Sequence, residues 1–172
     1  MRRKKAPALS VEDLRAFAHP NPEPFVAVLE RMKKRDRPAV MSWNWVGFLV
    51  PLPWFAYRKL WGALIAIPLG IAVVVLLNRY LSQIASGPGV DVMYLALAVT
   101  LGGLYGNSYL IQKADKAAAR ATAQGLTGDA RAAYLATQGG TSPLAATLVG
   151  VLFGVLVLLY GLAIGGLILA SR

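Results

Sequence analysis

The 172-residue chain has no cysteine, a single histidine, and 8 acidic residues against 18 basic ones. Without cysteine there is no disulfide, no thiolate metal site and no thiol nucleophile, although the compartment stays open because reduced proteins also do without it. His19 sits in a proline-flanked stretch with Glu12, Asp13 and Glu23 near in sequence. One histidine among solvated carboxylates lacks the convergent ligands of a metal or acid-base centre. Charge is also missing at another place: no Asp, Glu, Lys or Arg interrupts 60–77, 92–112 or 143–170. Proton relays and ion-coupled sites need ionisable groups at membrane depth, which argues against an ion-driven transporter and against a membrane hydrolase. The chain is therefore read as a non-enzyme, with no catalytic, cofactor-binding or metal residue. No apolar run follows the basic start Met1 to Lys5, so no cleaved secretory signal is expected.

What is present is apolar and basic. Hydrophobic residues make up 56% of the chain and the mean hydropathy is +0.52, the composition of a small integral membrane domain. The net charge of +10 is spread beside the apolar segments: residues 1–42 carry ten basic and five acidic residues, Arg58 and Lys59 follow, and 113–131 carries four basic against two acidic. The connection 79–91 is neutral, with Arg79 against Asp91. This distribution speaks for membrane orientation and anionic lipid, and no aromatic residues interleave with the N-terminal basic stretches as nucleic-acid stacking requires.

All four tryptophans, Trp43, Trp45, Trp54 and Trp61, fall within nineteen residues leading into the first long apolar segment. Indole and phenol rings favour the headgroup layer, and long basic side chains keep their charge in water, so Trp43, Trp45, Trp54, Tyr57, Arg58, Lys59 and Trp61 form the expected membrane interface. Val46 to Tyr57 is too short to span, and Pro51 and Pro53 interrupt it. It is expected to be a re-entrant hairpin turning at Pro51-Leu52-Pro53 or an interfacial lead-in helix.

Upstream, Ser10 with Asp13 three positions on starts a short helix, and the segment Asn21 to Pro24 breaks it. Phe25, Val28, Leu29 and Met32 then recur at helical spacing, with Arg31, Lys33, Lys34, Arg35 and Arg37 around them. This amphipathic arm either packs on the protein's own cytoplasmic surface or lies on anionic headgroups through those basic residues.

The resulting fold class is an all-α integral membrane protein. A basic cytoplasmic arm (1–42) and a Trp-rich segment (43–59) precede a membrane domain (60–172) with three transmembrane helices at about 60–80, 92–112 and 145–170. A cytoplasmic helical loop, 113–142, separates the last two. Pro143 to Ala170 would be about 42 Å long as one helix, so it tilts, begins outside the bilayer or divides into two half-helices. Gly150, Gly154, Gly161 and Gly165 lie within about 60° of one another on a helical wheel and form a close-packing stripe. Gly102, Gly106 and the polar Asn107 suit the same kind of packing in the middle helix. The positive-inside rule puts the N-terminus in the cytoplasm and the C-terminus outside.

The segment from Trp43 to Trp61 resembles an uncharacterised family of small bacterial membrane proteins, a domain of unknown function. The resemblance rests on Trp43, Asn44, Trp45, Phe48, Pro51 or Pro53, Trp54, Tyr57, Arg58, Lys59 and Trp61, with a second segment at Gly103, Gly106 and Asn107. It covers roughly 42–115; Val50 to Pro53 departs from the family's glycine-proline turn. The resemblance implies a protein of the bacterial inner membrane and no known activity, and the three expected crossings make it multi-pass. Two functions remain: an accessory or scaffold subunit docking a membrane protein, or a second copy of itself, through the glycine stripe, and a binder or carrier of lipid or uncharged hydrophobic solute. The first is the preferred expectation.

Overall fold

The computed structural model describes residues 6–81 and 88–170, and every regular element among them is helical. α1 (Val11–Ala18) begins where the Ser10 hydroxyl accepts the Asp13 N–H at 3.0 Å, filling a donor the first turn leaves orphaned. It stops before the cis His19-Pro20 bond. α2 (Glu23–Lys34) follows with Pro22 at its cap and Pro24 in its first turn, where a missing N–H costs nothing.

The apolar face of α2 does not reach headgroups. Phe25, Val28, Leu29 and Met32 are buried against α1 and α6, while Arg31, Lys33, Lys34, Arg35 and Arg37 stay exposed. A helix lying on a bilayer would need that face free, so of the two expected placements of the arm the chain adopts packing on its own surface. Its partners come from far along the sequence. α6 (Pro88–Ala123) is one continuous helix of 36 residues. Its alanine-rich end buries Ala114, Ala117, Ala118 and Ala121, small enough for neighbouring helices to come close. α7 (Gly128–Gln138) folds back onto α1 and α6. There the Arg131 guanidinium donates to both Asp13 oxygens, at 2.7 and 2.9 Å, which holds the Asp13 carboxyl below the usual carboxylate range and raises Arg131. α1, α2, α7 and the end of α6 thus form a compact bundle around Leu14, Phe17, Leu29 and Ile111.

From Pro38 to Asn44 the chain runs extended along α6. The Gln112 side chain donates to the Pro38 carbonyl at 3.0 Å, the Ser42 N–H to the Leu104 carbonyl at 2.9 Å, and the Asn44 N–H to the Gly103 carbonyl at 2.9 Å. α3 (Trp45–Leu49) and α4 (Pro51–Tyr57) then break at Val50, one residue earlier than the expected Pro-Leu-Pro turn. Pro51 and Pro53 instead fill the first turn of α4, where no intrahelical donor is needed.

α5 (Trp61–Leu81) packs on α4 and α6. α8 (Pro143–Ala170) is a single continuous helix and not two half-helices; among the described residues it packs on α4 alone. By length and composition one helical stretch, within Gly128–Leu162 and carried by α8, is long and apolar enough to cross a membrane, and Trp61–Leu77 is a shorter apolar helix. The expectation of three such helices narrows to this one on that criterion, because the apolar stretch of α5 is the shorter Trp61–Leu77 and α6 turns polar along its length.

Candidate functional site

Two features stand out: an apolar groove between α5 and α6, and a group of cations between the end of α4 and the bundle. The groove, about 570 Å³, lies between α5 and α6 over Phe55 of α4. Ala63, Gly70 and Val74 line one wall and Leu101, Gly102 and Tyr105 the other, with Tyr109 nearest the bundle. Around the position of a Cβ on Gly70 there is open space to 4 Å, so this glycine widens the groove without serving another helix.

Glycines of α6 do serve one. A Cβ on Gly103 would stand 2.8 Å from the Phe48 Cβ, and one on Gly106 would stand 3.0 Å from the Trp54 ring; Gly102 faces Phe55 and the Gly47 carbonyl. The α3–α4 pair is thereby seated on α6. A polar network fixes its register. The Asn44 side chain caps α3 by accepting the Gly47 N–H at 2.9 Å and donates to the Asn107 carbonyl oxygen at 2.9 Å. The Asn107 amide donates in turn to the Ser42 hydroxyl at 3.2 Å, and the Ser108 hydroxyl donates to the Val40 carbonyl at 2.7 Å. Buried Asn107 and Ser42 are thus satisfied, as low-dielectric burial demands.

The cations are Arg58, Lys59 and Lys113. Arg58 was expected to keep its charge in water at the membrane surface; it is 6% exposed instead. Its Nη1 donates to the Ala18 carbonyl at 2.9 Å and its Nη2 to the Asn21 carbonyl at 3.4 Å, with Phe25 4.9 Å from the guanidinium carbon. The C-terminal end of α1 favours a cation there. Nε has no acceptor among the described residues, and burial pushes the guanidinium below its ordinary pKa. Trp54, 6% exposed, likewise belongs to the interior and not to the interface, because the glycine at 106 leaves its ring a seat. Trp43, Trp45 and Trp61 are exposed, the first two in an aromatic cluster with Phe48 at ring separations of 5.0 to 6.3 Å, and Tyr57 and Lys59 are half-buried.

Lys59 closes α4 with φ +53°, donating its N–H to the Ala56 carbonyl while the Leu60 N–H reaches the Phe55 carbonyl at 2.8 Å. Glycine is the default for this helix-ending turn, and a side chain in the left-handed region costs about 1–2 kcal/mol. The Lys113 ammonium donates to the Lys59 carbonyl at 2.8 Å and lies 5.6 Å from the Phe17 ring centroid. Burial, and then the charge of Lys59, push Lys113 below the usual lysine range. No carboxylate forms an ion pair with any of the three among the described residues.

In the expected glycine stripe of α8, a Cβ on Gly150 would stand 3.7 Å from Pro53, Gly154 and Gly161 face open space, and the surroundings of Gly165 lie outside the described residues. His19 is exposed, and no cluster of metal-ligating side chains exists among the described residues. Sequence reasoning missed Lys113, Tyr105, Tyr109 and Gly70. Tyr105, Tyr109 and Lys113 are spaced four apart on one face of α6, the signal that was available.

No curated protein and no solved structure matches the chain. A family described as a protein of unknown function, DUF2628, matches residues 15–116, which takes in the arm from Arg15 onward, the Trp-rich segment, the groove walls and all three cations. The chain belongs to that family of unknown function.

Proposed function

We propose that this protein is a membrane-embedded lipid binder, crossing the bilayer with α5, α6 and α8 and holding its helical bundle at the cytoplasmic face. The observation that carries the reading is the groove between α5 and α6. An apolar groove at membrane depth fills with hydrocarbon, since an empty one forfeits dispersion contacts along both walls. Tyr105 and Tyr109 line the groove on the α6 side, and the Tyr109 hydroxyl packs against Gly62 at the start of α5. The orientation follows from Arg31, Lys33, Lys34, Arg35 and Arg37, exposed on the bundle at the same end as Lys59 and Lys113. α5, at 21 residues, reaches about 31 Å, enough for a bilayer core of about 30 Å.

The test is purification from native membrane in a mild detergent, followed by lipid extraction and mass spectrometry. The protein is expected to carry a defined lipid in stoichiometric amount. Gly70→Phe, which fills the groove from an open position, is expected to displace most of it without changing the thermal unfolding of the bundle. A chain that carries no lipid above the detergent background ends this reading.

A second reading has its own support: Gly154 and Gly161 of α8 meet nothing, and α8 rests on α4 alone among the described residues. Such a helix suits an accessory subunit that docks another membrane protein or a second copy of this chain. Gly154→Leu with Gly161→Leu is then expected to abolish the complex and leave an intact monomer, and unchanged assembly removes the idea.

A further inference from the structure

We infer that α3 and α4 are a re-entrant wedge confined to the leaflet on the bundle side, so that the protein favours a bilayer that is convex on that side. The inference rests on the crossing of the membrane by α5, α6 and α8 proposed above and adds a preference for the shape of the lipid surface. Three observations carry it.

The first is where the hairpin enters, turns and leaves. It enters at Pro38, whose carbonyl accepts from Gln112, and leaves at Arg58, whose guanidinium donates to the Ala18 carbonyl of the bundle. Between them it descends along α6 to Gly102, where a Cβ would stand 3.4 Å from the Gly47 carbonyl oxygen and 3.8 Å from the Pro51 Cβ. From Gln112 down to Gly102 a helix covers about 15 Å, half of a bilayer core of about 30 Å. α8 gives the same depth independently. Phe153 borders a cleft with Pro51 and Leu52, about 16 Å along the helix from Ser142, whose N–H bonds the Tyr57 carbonyl. The turn at Val50 thus stands near the bilayer middle, and neither α3 nor α4 enters the far leaflet.

The second is the backbone. Hydrocarbon offers no partner to an orphaned N–H, and the first turn of a helix leaves several. At the turn the Val50 N–H bonds the Val46 carbonyl and the Trp54 N–H the Val50 carbonyl, both at 3.0 Å, while Pro51 and Pro53 have no N–H to leave open. The extended entry is equally dry: the Val40 N–H donates to the Ser108 hydroxyl at 3.1 Å, and the Ser42 and Asn44 N–H groups donate to α6 carbonyls. The third is the uncovered face. Trp45, Val46, Leu49 and Val50 expose 42% to 67% of their surface, and no charged, amide or hydroxyl side chain occurs from Trp45 to Ala56. Acyl chains cover such a face, which water penalises. Two helices of 10–12 Å diameter add roughly 160–220 Å² of protein to one leaflet only. Lipids of that leaflet are spread and those of the other are not, and convex curvature on the bundle side relieves the difference.

The chain has no cysteine, so single replacements carry one label each. The full chain is reconstituted in phosphatidylcholine vesicles with a nitroxide at Leu49→Cys, Val73→Cys or Lys34→Cys, all exposed positions. The labels at Leu49 and Val73 are expected to meet oxygen and to be shielded from a water-soluble nickel chelate, and the label at Lys34 to meet the chelate. A Leu49 label open to the chelate while that at Val73 is shielded overturns the wedge and leaves the crossing. Both labels open to the chelate overturn the crossing itself. A Leu49 label shielded from oxygen and chelate alike means that protein covers the turn, as a second copy would, and ends the inference. Shape is read by sorting Lys34→Cys between small and large vesicles, with a membrane-impermeant thiol dye marking molecules whose bundle faces out. Those molecules are expected to be enriched in the small vesicles, where the outer leaflet is the more convex, and molecules with the bundle inside to be depleted. Equal partition of the two orientations overturns the inference. Leu49→Lys with Val50→Lys, which draws the turn toward the headgroups, is expected to abolish the difference without changing thermal unfolding of the bundle. A difference that survives these two lysines assigns the preference to another element and removes the wedge.

Discussion

In the bundle, Leu14, Phe17, Leu29 and Met32 expose at most 1% of their surface, whereas Leu69 and Leu76 of α5 and Leu148, Leu152 and Leu162 of α8 expose more than 60%. The residue types are alike and the packing is opposite. In water, each apolar side chain left outside costs about 1.5–3 kcal/mol, so the four faces of the bundle must find one another. Hydrocarbon imposes no such penalty, and helices there associate through backbone approach and polar contacts. The half proposed to lie in the membrane has contacts of that kind: α3 and α4 sit on α6 through Gly102, Gly103 and Gly106 and the Asn44–Asn107 bond, while α8 rests on α4 and is tied at its start by the Ser142 N–H to the Tyr57 carbonyl at 2.8 Å.

The contrast breaks most visibly by truncation. Phe17→Ala is expected to cost about 3–5 kcal/mol, and Leu152→Ala to stay within about 0.5 kcal/mol, both read by unfolding in a fixed detergent. A comparable loss in the two would mean that α8 is packed as tightly as the bundle. A second pair separates glycines that are occupied from glycines that are free. In Gly103→Ala the new methyl meets Phe48, and the expected loss is about 1–3 kcal/mol. Gly154→Ala meets nothing and is expected to be neutral or to stabilise by about 0.5 kcal/mol, as alanine restricts the helix less favourably placed glycine leaves loose.

The smallest effect concerns the bundle's buried-edge ion pair. Arg131 holds the folded Asp13 carboxyl below its ordinary value of about 4. The pair therefore stabilises fully above that pH and fades as pH falls through the lower folded value. Asp13→Asn is expected to cost about 1–2 kcal/mol at neutral pH and to flatten the acid side of the stability profile. An acid limb identical to that of the parent would place the acid-sensitive group elsewhere.

Local features were legible in the sequence where local physics decides them. Ser10 with Asp13 announces α1, the spacing of Phe25, Val28, Leu29 and Met32 announces the buried face of α2, and the alanine run beyond Lys113 continues α6. What covers those faces is not legible, because Asp13 meets Arg131 and Asn44 meets Asn107 across 118 and 63 residues. The misplacement of Arg58 and Trp54 has a chemical cause. An arginine beside tyrosine and tryptophan has the same composition whether its neighbours are headgroups or two carbonyls and a phenylalanine ring, and only the fold chooses. The proline pair misled for a related reason: the first turn of a helix and a turn between helices tolerate proline equally well.

The Asp13–Arg131 pair also orders events in time. At a synthesis rate of about 5–20 residues per second, some 118 residues emerge over about 6–24 s before α1 can meet α7. During that interval Leu14 and Phe17 have no cover from Leu135, while the apolar segments of α5 and α6 have already left the ribosome. If α5 and α6 cross the bilayer as proposed, their insertion precedes closure of the bundle, and the apolar faces of α1 and α2 wait uncovered until α7 arrives.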